Sequence, residues 1–174
     1  MWIGGKKSLE EEFLKKEGVP FHGIHVGKWR RYFDLRNFVD MFRVPMGCVE
    51  AFRFLRKFRP DIVFAKGGYV SFPVGIASRL LGIPLVLHES DATPGLATRI
   101  LARFAKKIFL GLEPASYFLM PYQEKTEITG TPVREEILHG EKEKGYRVIG
   151  FARHGAPIIL IVGGSLGASS LNTL

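Results

Sequence analysis

The chain has 174 residues, with 25 Lys and Arg against 17 Asp and Glu, a formal charge of +8. Hydrophobic content of 46% and charged content of 24% are those of an ordinary globular chain and exclude disordered, collagen-like and coiled-coil classes. One cysteine, Cys48, excludes a disulfide framework and a cysteine zinc site. No apolar run approaches the ~20 residues of a spanning helix, and Met1 to Lys7 is not followed by a signal-peptide core.

In chain order, Trp2-Ile3-Gly4 reads as the tail of a strand. Ser8 and Glu11 have capping-box spacing, which predicts a helix from there to about Glu17, stopped by Gly18. Phe21 to Val26 reads as a strand. Gly27 to Arg43 is basic and aromatic, with mixed periodicity. Val49, Phe52, Leu55, Arg56 and Arg59 share helical spacing, and Pro60 ends that helix.

The punctuation then becomes regular. Asp61 to Ala65 is a buried-type strand, followed by Gly67-Gly68 and a helix with Pro73 near its first turn and Gly82 at its close. Ile83 to Leu87 is a strand with His88-Glu89-Ser90-Asp91 at its carboxyl end. Thr93-Pro94 opens a helix with a stripe of Leu96, Ile100, Leu101 and Phe104. Lys107 to Leu110 and Glu127 to Thr129 are strands, and Glu135 to Leu138 a helical turn. Residues 139–149 are polar and read as a linker. Pro157 to Val162 is a uniformly apolar strand ending in Gly163-Gly164-Ser165-Leu166-Gly167. Repeated strand–turn–helix units predict an α/β parallel sheet with helices on both faces.

Nine basic residues from Lys28 to Arg59 face only Asp34, Asp40 and Glu50, so this stretch holds +6 of the +8. Such a block fits an anionic partner or a solvated helical face. Trp29, Tyr32 and Phe33 interleave with Lys28, Arg30 and Arg31, which suits an anionic bilayer surface. The aromatics lack an RRM-like or OB-like pattern, so nucleic acid is not expected as a partner.

In open α/β sheets ligands sit beyond the carboxyl ends of the strands. There, Gly67, Gly68, Tyr69 and Ser71 form either an anion-binding loop or a tight turn. His88 and Glu89 would point to opposite faces of a continuing strand, and His88 reads equally as a satisfied buried histidine. Arg134 stands in a first helical turn, where the dipole disfavours a cation. It serves either a diphosphate or the neighbouring Glu135 and Glu136. Gly163, Gly164, Ser165 and Gly167 form an anion cradle, or Ser165 is only a helix cap. There is no metal-ligand spacing and no nucleophile elbow, and Cys48 lies in an apolar context that disfavours its thiolate.

Lys66-Gly-Gly-Tyr-Val-Ser71, Leu87-His-Glu-Ser-Asp-Ala-Thr-Pro-Gly-Leu-Ala97, Gly130-Thr-Pro-Val-Arg134 and Gly163-Gly-Ser-Leu-Gly-Ala168 stand in an order that resembles the MurG family. These are the N-acetylglucosaminyltransferases of peptidoglycan synthesis. The resemblance implies a GT-B architecture of Rossmann-like domains, with a nearly complete N-terminal domain at 1–139, a linker at 140–156 and the start of a C-terminal domain at 157–174. It implies inverting transfer from UDP-N-acetylglucosamine to undecaprenyl-diphospho-muramoylpentapeptide, with neither cofactor nor active-site metal. Arg134, Ser165, Gly163, Gly164 and Gly167 match donor positions. Gly67, Gly68, Tyr69, Ser71 and Asp91 match the acceptor side, with Glu89 and His88 as candidates for the base. It further implies a bacterial cytoplasmic protein, peripheral on the inner face of the membrane. The family pattern begins with a strand and glycine-rich loop that the sequence lacks, so an incomplete, weakly active or inactive fragment is expected. A noncatalytic acceptor-binding module working with a separate donor-binding chain is the alternative.

Overall fold

Parallel strands need a crossover between them, and this chain supplies one after each short apolar run. The computed structural model describes residues 1–27 and 36–150. β1 (Trp2–Gly5) pairs with β2 (Phe21–Ile24), with Trp2 opposite Phe21. β3 (Val63–Ala65), β4 (Leu85–Glu89), β5 (Lys107–Leu110) and β6 (Thr126–Ile128) form a second sheet in chain order. All of these pairs are parallel. Helices α1 (Leu9–Lys16), α2 (Arg36–Phe58), α3 (Gly68–Leu80) and α4 (Leu96–Ala102) make the crossovers up to β5, and 3-10 turns over Glu113–Lys125 lead to β6. The expected α/β parallel architecture is therefore present. Its sheet is split in two, because β1 and β3 are not hydrogen-bonded to each other.

The core lies between the sheet and its helices. Every residue of β4 is buried, as a strand covered on both faces requires. Leu87, Ile108 and Leu110 from the strands meet Leu55, Leu101 and Leu119, all of them essentially inaccessible. Gly75 lets α3 approach α4: a Cβ there would come within 2.6 Å of both Leu101 methyl groups. Gly47 does the same for α2, since a Cβ would collide with the His25 carbonyl.

Several local expectations change. α1 begins after Ser8, but the Ser8 hydroxyl caps nothing. Glu11 instead accepts from Lys7 N at 3.3 Å and from Lys15 Nζ at 3.0 Å, so its carboxylate reaches one residue further back than a capping box. α2 starts at Arg36 and runs through Pro45, well before the periodic residues that announced it. Proline removes one helical hydrogen bond, a cost that packing of the surrounding helix offsets. Of the stripe on α4, only Leu101 is buried. Leu96 and Ile100 are exposed, and Arg79 and Arg103 both stand over the half-buried Phe104 ring.

The chain divides into compact units at Met1–Pro132 and Val133–Leu174, ahead of the boundary at 139 read from composition. In the second unit α5 (Glu135–Leu138) precedes α6 (Lys142–Ile149). The polar stretch read as a linker is thus partly helical. It is an exposed helix, with Lys144 and Glu141 3.4 Å apart and Gly150 closing it at φ 71°.

Candidate functional site

At the carboxyl ends of β3 and β4, the glycine turn that follows β3 lies against the Glu89 side chain at the end of β4. After Ala65 and the exposed Lys66, Gly67 takes φ 72°, ψ −167° and Gly68 takes φ 77°. Side chains are strained in both conformations. A Cβ on Gly67 would also lie 3.5 to 3.8 Å from Thr98 Oγ1 and the Glu89 carboxylate. The loop therefore rests against Glu89 and starts the 13-residue helix α3. The first N–H groups of a helix lack internal partners and carry its positive dipole end, so this turn can hold an anion. Ser71 is buried and its hydroxyl donates to the Gly67 carbonyl, so it fastens the loop from within. The Tyr69 side chain is 39% exposed beside it.

His88 and Glu89 are both buried at the end of β4 and reach different partners, as strand alternation predicts. Glu89 accepts from the Thr98 hydroxyl at 2.6 Å, from Asp91 N at 3.1 Å and from Gly95 N at 3.2 Å. It ties the strand end, the loop after it and the start of α4 into one piece. His88 Nε2 lies 3.1 Å from the Gly130 carbonyl, and Nδ1 lies 3.5 Å from Ser90 Oγ. Nε2–H donating to the carbonyl leaves Nδ1 as an acceptor. Asp91 is exposed and contributes its amide to Glu89. Arg134 belongs to the second unit, exposed at the N-cap of α5.

A further cluster went unnoticed in the sequence. At the carboxyl ends of β1 and β2, Lys6 Nζ and His25 Nδ1 converge on Glu50 Oε1 at 2.8 and 2.7 Å, and His25 N donates to Oε2 at 2.6 Å. Partial burial pushes the Glu50 carboxyl upward, but these hydrogen bonds outweigh it and hold it at about 2. No local pattern could have signalled this, because the partners come from separate elements. Thr98 was also missed, since nothing in its helix marks it as the partner of Glu89. Burial raises the Cys48 thiol above its ordinary value, which disfavours the reactive thiolate.

Among the described residues no group of three or more His, Cys, Asp or Glu could hold a metal, and no helix is long and apolar enough to cross a membrane. Lys28, Trp29, Arg30, Arg31, Tyr32 and Phe33 lie outside the described residues, as do Gly163, Gly164, Ser165 and Gly167.

A parallel α/β sheet with a glycine loop at a strand end and a helix N-terminus behind it has the Rossmann-like arrangement suited to binding an anion. Residues 1–110 match the glycosyltransferase family 28 N-terminal domain. The chain belongs to glycosyltransferase family 28 and, within it, to the MurG family. It is 49% identical over 171 residues to UDP-N-acetylglucosamine--N-acetylmuramyl-(pentapeptide) pyrophosphoryl-undecaprenol N-acetylglucosamine transferase 2 of Bacillus cereus, covering 98% of this chain and 48% of that protein. To the corresponding transferase of Clostridium tetani it is 44% identical over 173 residues, covering 99% of this chain and 48% of the relative. The crystal structure of Acinetobacter baumannii MurG superimposes with a TM-score of 0.62 at 28% identity, covering 98% of this chain and 43% of that one. The chain thus spans about half the length of the curated relatives it matches.

Proposed function

We propose that this chain forms the acceptor-side half of an inverting N-acetylglucosaminyltransferase of peptidoglycan synthesis. The observation that carries the reading is its 49% identity, across 98% of its length, to a transferase whose name states both donor and acceptor. In this reaction the C4 hydroxyl of the lipid-linked muramoyl sugar attacks the anomeric carbon of N-acetylglucosamine. The bond to UDP breaks, UDP leaves with the electron pair, and the hydroxyl proton passes to a base. The N–H groups at Gly68 and Tyr69 hold the acceptor diphosphate, and Lys66 adds positive charge at the same turn. Arg134 and the loop of Gly163, Gly164, Ser165 and Gly167 serve the donor diphosphate. The buried hydrogen bonds of Glu89 and His88 favour positioning roles for both over proton abstraction. The reading calls on no metal cofactor.

The basic-aromatic segment Lys28 to Phe33 rests on the anionic cytoplasmic face of the membrane, where a lipid-linked acceptor would be met. A chimera tests the proposal: this chain replaces the aligned half of the Bacillus cereus transferase, and transfer of N-acetylglucosamine to the lipid acceptor is measured. Turnover is expected. A folded chimera that binds UDP-N-acetylglucosamine but transfers nothing would count against it.

A further inference from the structure

The second unit begins at Val133, so the chain leaves the first through Thr129 to Pro132. Thr129 N and Gly130 N both donate to the Leu110 carbonyl, at 3.0 and 3.1 Å, which stitches this exit to the end of β5. Gly130 has φ 78°, and a glycine peptide plane turns easily unless its carbonyl is held. His88 holds it. Nε2 lies 3.1 Å from the Gly130 oxygen, which the Thr129 hydroxyl reaches only at 3.4 Å. A Cβ on Gly111 would collide with the Thr131 hydroxyl, so the next residue packs on the turn after β5. Pro132 has no N–H to be held by, and residues 132–134 are exposed. The exit is thus fixed as far as Thr131.

The His88 ring is itself well fixed. It is 3% exposed, sits opposite Phe109 in the β4–β5 register, and has the Phe64 ring 6.4 Å away between centroids. From β4 it reaches the residue that follows β6 by two, although β4 and β6 are not neighbours in the sheet. A carbonyl only accepts, so Nε2 carries the proton, and Nδ1, 3.5 Å from Ser90 Oγ, is the acceptor. We propose that His88 is a positioning residue of the transferase: its Nε2–H fixes the Gly130 peptide plane and so aims the segment that carries Arg134 to the donor diphosphate. The inference rests on the donor role proposed for Arg134, which stands two residues past the first unit. With the Gly130 plane released, the exit spreads over many directions. Binding the donor then costs the entropy of selecting one of them. Because its Nε2 proton is committed to a carbonyl, His88 serves through Gly130 and takes no proton at that atom.

Two substitutions separate this role from others. Glutamine places its amide nitrogen where Nε2 stands and keeps the donor, whereas asparagine ends at the level of Nδ1 and falls short; neither can act as a base. One such hydrogen bond is worth about tenfold. In the full chain, amide hydrogen exchange followed at residue resolution should quicken about tenfold at Thr129 and Gly130 in His88→Asn, and stay within about threefold of the parent in His88→Gln. In the folded chimera, the calorimetric Kd for UDP-N-acetylglucosamine should weaken about tenfold in His88→Asn, with that for the lipid-linked acceptor changed by less than about twofold, and His88→Gln should restore donor binding. Long-range proton–nitrogen NMR correlation of the unaltered chain at alkaline pH should show the His88 proton on Nε2. Exchange and tautomer involve no sugar nucleotide, so failure of this latch and failure of the transferase reading are distinguishable. Parent-like exchange or donor binding in His88→Asn, a glutamine variant as impaired as the asparagine one, or a proton on Nδ1 would each overturn the proposal. Should His88→Asn not fold, the glutamine variant and the tautomer decide it.

Discussion

Glu89 offers the sharpest perturbation, because two roles for it predict different numbers. Its carboxylate accepts three hydrogen bonds, from the Thr98 hydroxyl and the amides of Asp91 and Gly95, at a residue only 5% exposed. Glu89→Ala strips all three donors of their partner. The Thr98 donor is buried and those of Asp91 and Gly95 partly so; at ~1–3 kcal/mol for a buried unsatisfied donor and less where water reaches, a loss of about 3 kcal/mol is expected. Glu89→Gln keeps the shape. Its amide oxygen can occupy the Oε2 position and still accept from Thr98 and Gly95, while its NH2 opposes the Asp91 amide. About 1.5 kcal/mol is expected for that single mismatch. Urea unfolding followed by far-ultraviolet circular dichroism measures both, with an unchanged m-value as the check that only stability moved. Variants both within ~0.5 kcal/mol of the parent would refute the anchoring role. In the active chimera, Glu89→Gln should retain most of the transfer rate. A loss of ~100-fold or more without a stability change would make Glu89 the base instead.

Three further outcomes are expected. Glu50 titrates at about 2 when folded against 4.5 as its ordinary value, so its ion pairs stabilise the fold above pH 4.5, and that contribution is lost as pH falls toward 2. At full value the difference corresponds to ~3 kcal/mol. Water reaching Glu50 and Lys6 screens the cluster, so about half is expected, and Glu50→Gln should flatten the stability profile over this window. A parent and variant that lose stability in parallel would contradict this. Gly75→Ala should destabilise by about 1–2 kcal/mol by chemical denaturation, because overpacking against Leu101 exceeds the better helix propensity of alanine; a stabilised variant would disprove the close approach. Charge reversal at Arg30 and Arg31 together should weaken sedimentation with anionic vesicles, and unchanged binding would argue against the membrane segment.

Local chemistry was the legible part. Lys107 to Leu110 was read as a strand and is β5 to the residue. Gly67-Gly68 was singled out as a turn that could cradle an anion, and its two positive φ angles show why glycine stands at both positions. What escaped were features that oppose a local rule or have no local rule. Pro45 and the mixed basic-aromatic pattern hid the first half of α2, because proline normally ends a helix. The apolar stripe of α4 implied burial, yet Leu96 and Ile100 face solvent because only the Leu101 side of the helix meets α3.

The sequence by itself determined the strand–turn–helix alternation, the glycine turns at strand ends and membership in a glycosyltransferase family. These depend on propensities and motifs that act over a few neighbouring residues. Only the tertiary structure decided what the ionisable groups do. Glu89 finds Thr98 nine residues on, and Glu50 finds His25 and Lys6 at separations of 25 and 44. It also decided the pairing, β1 with β2 and β3 to β6 in chain order, since strand pairing depends on which edges packing brings together.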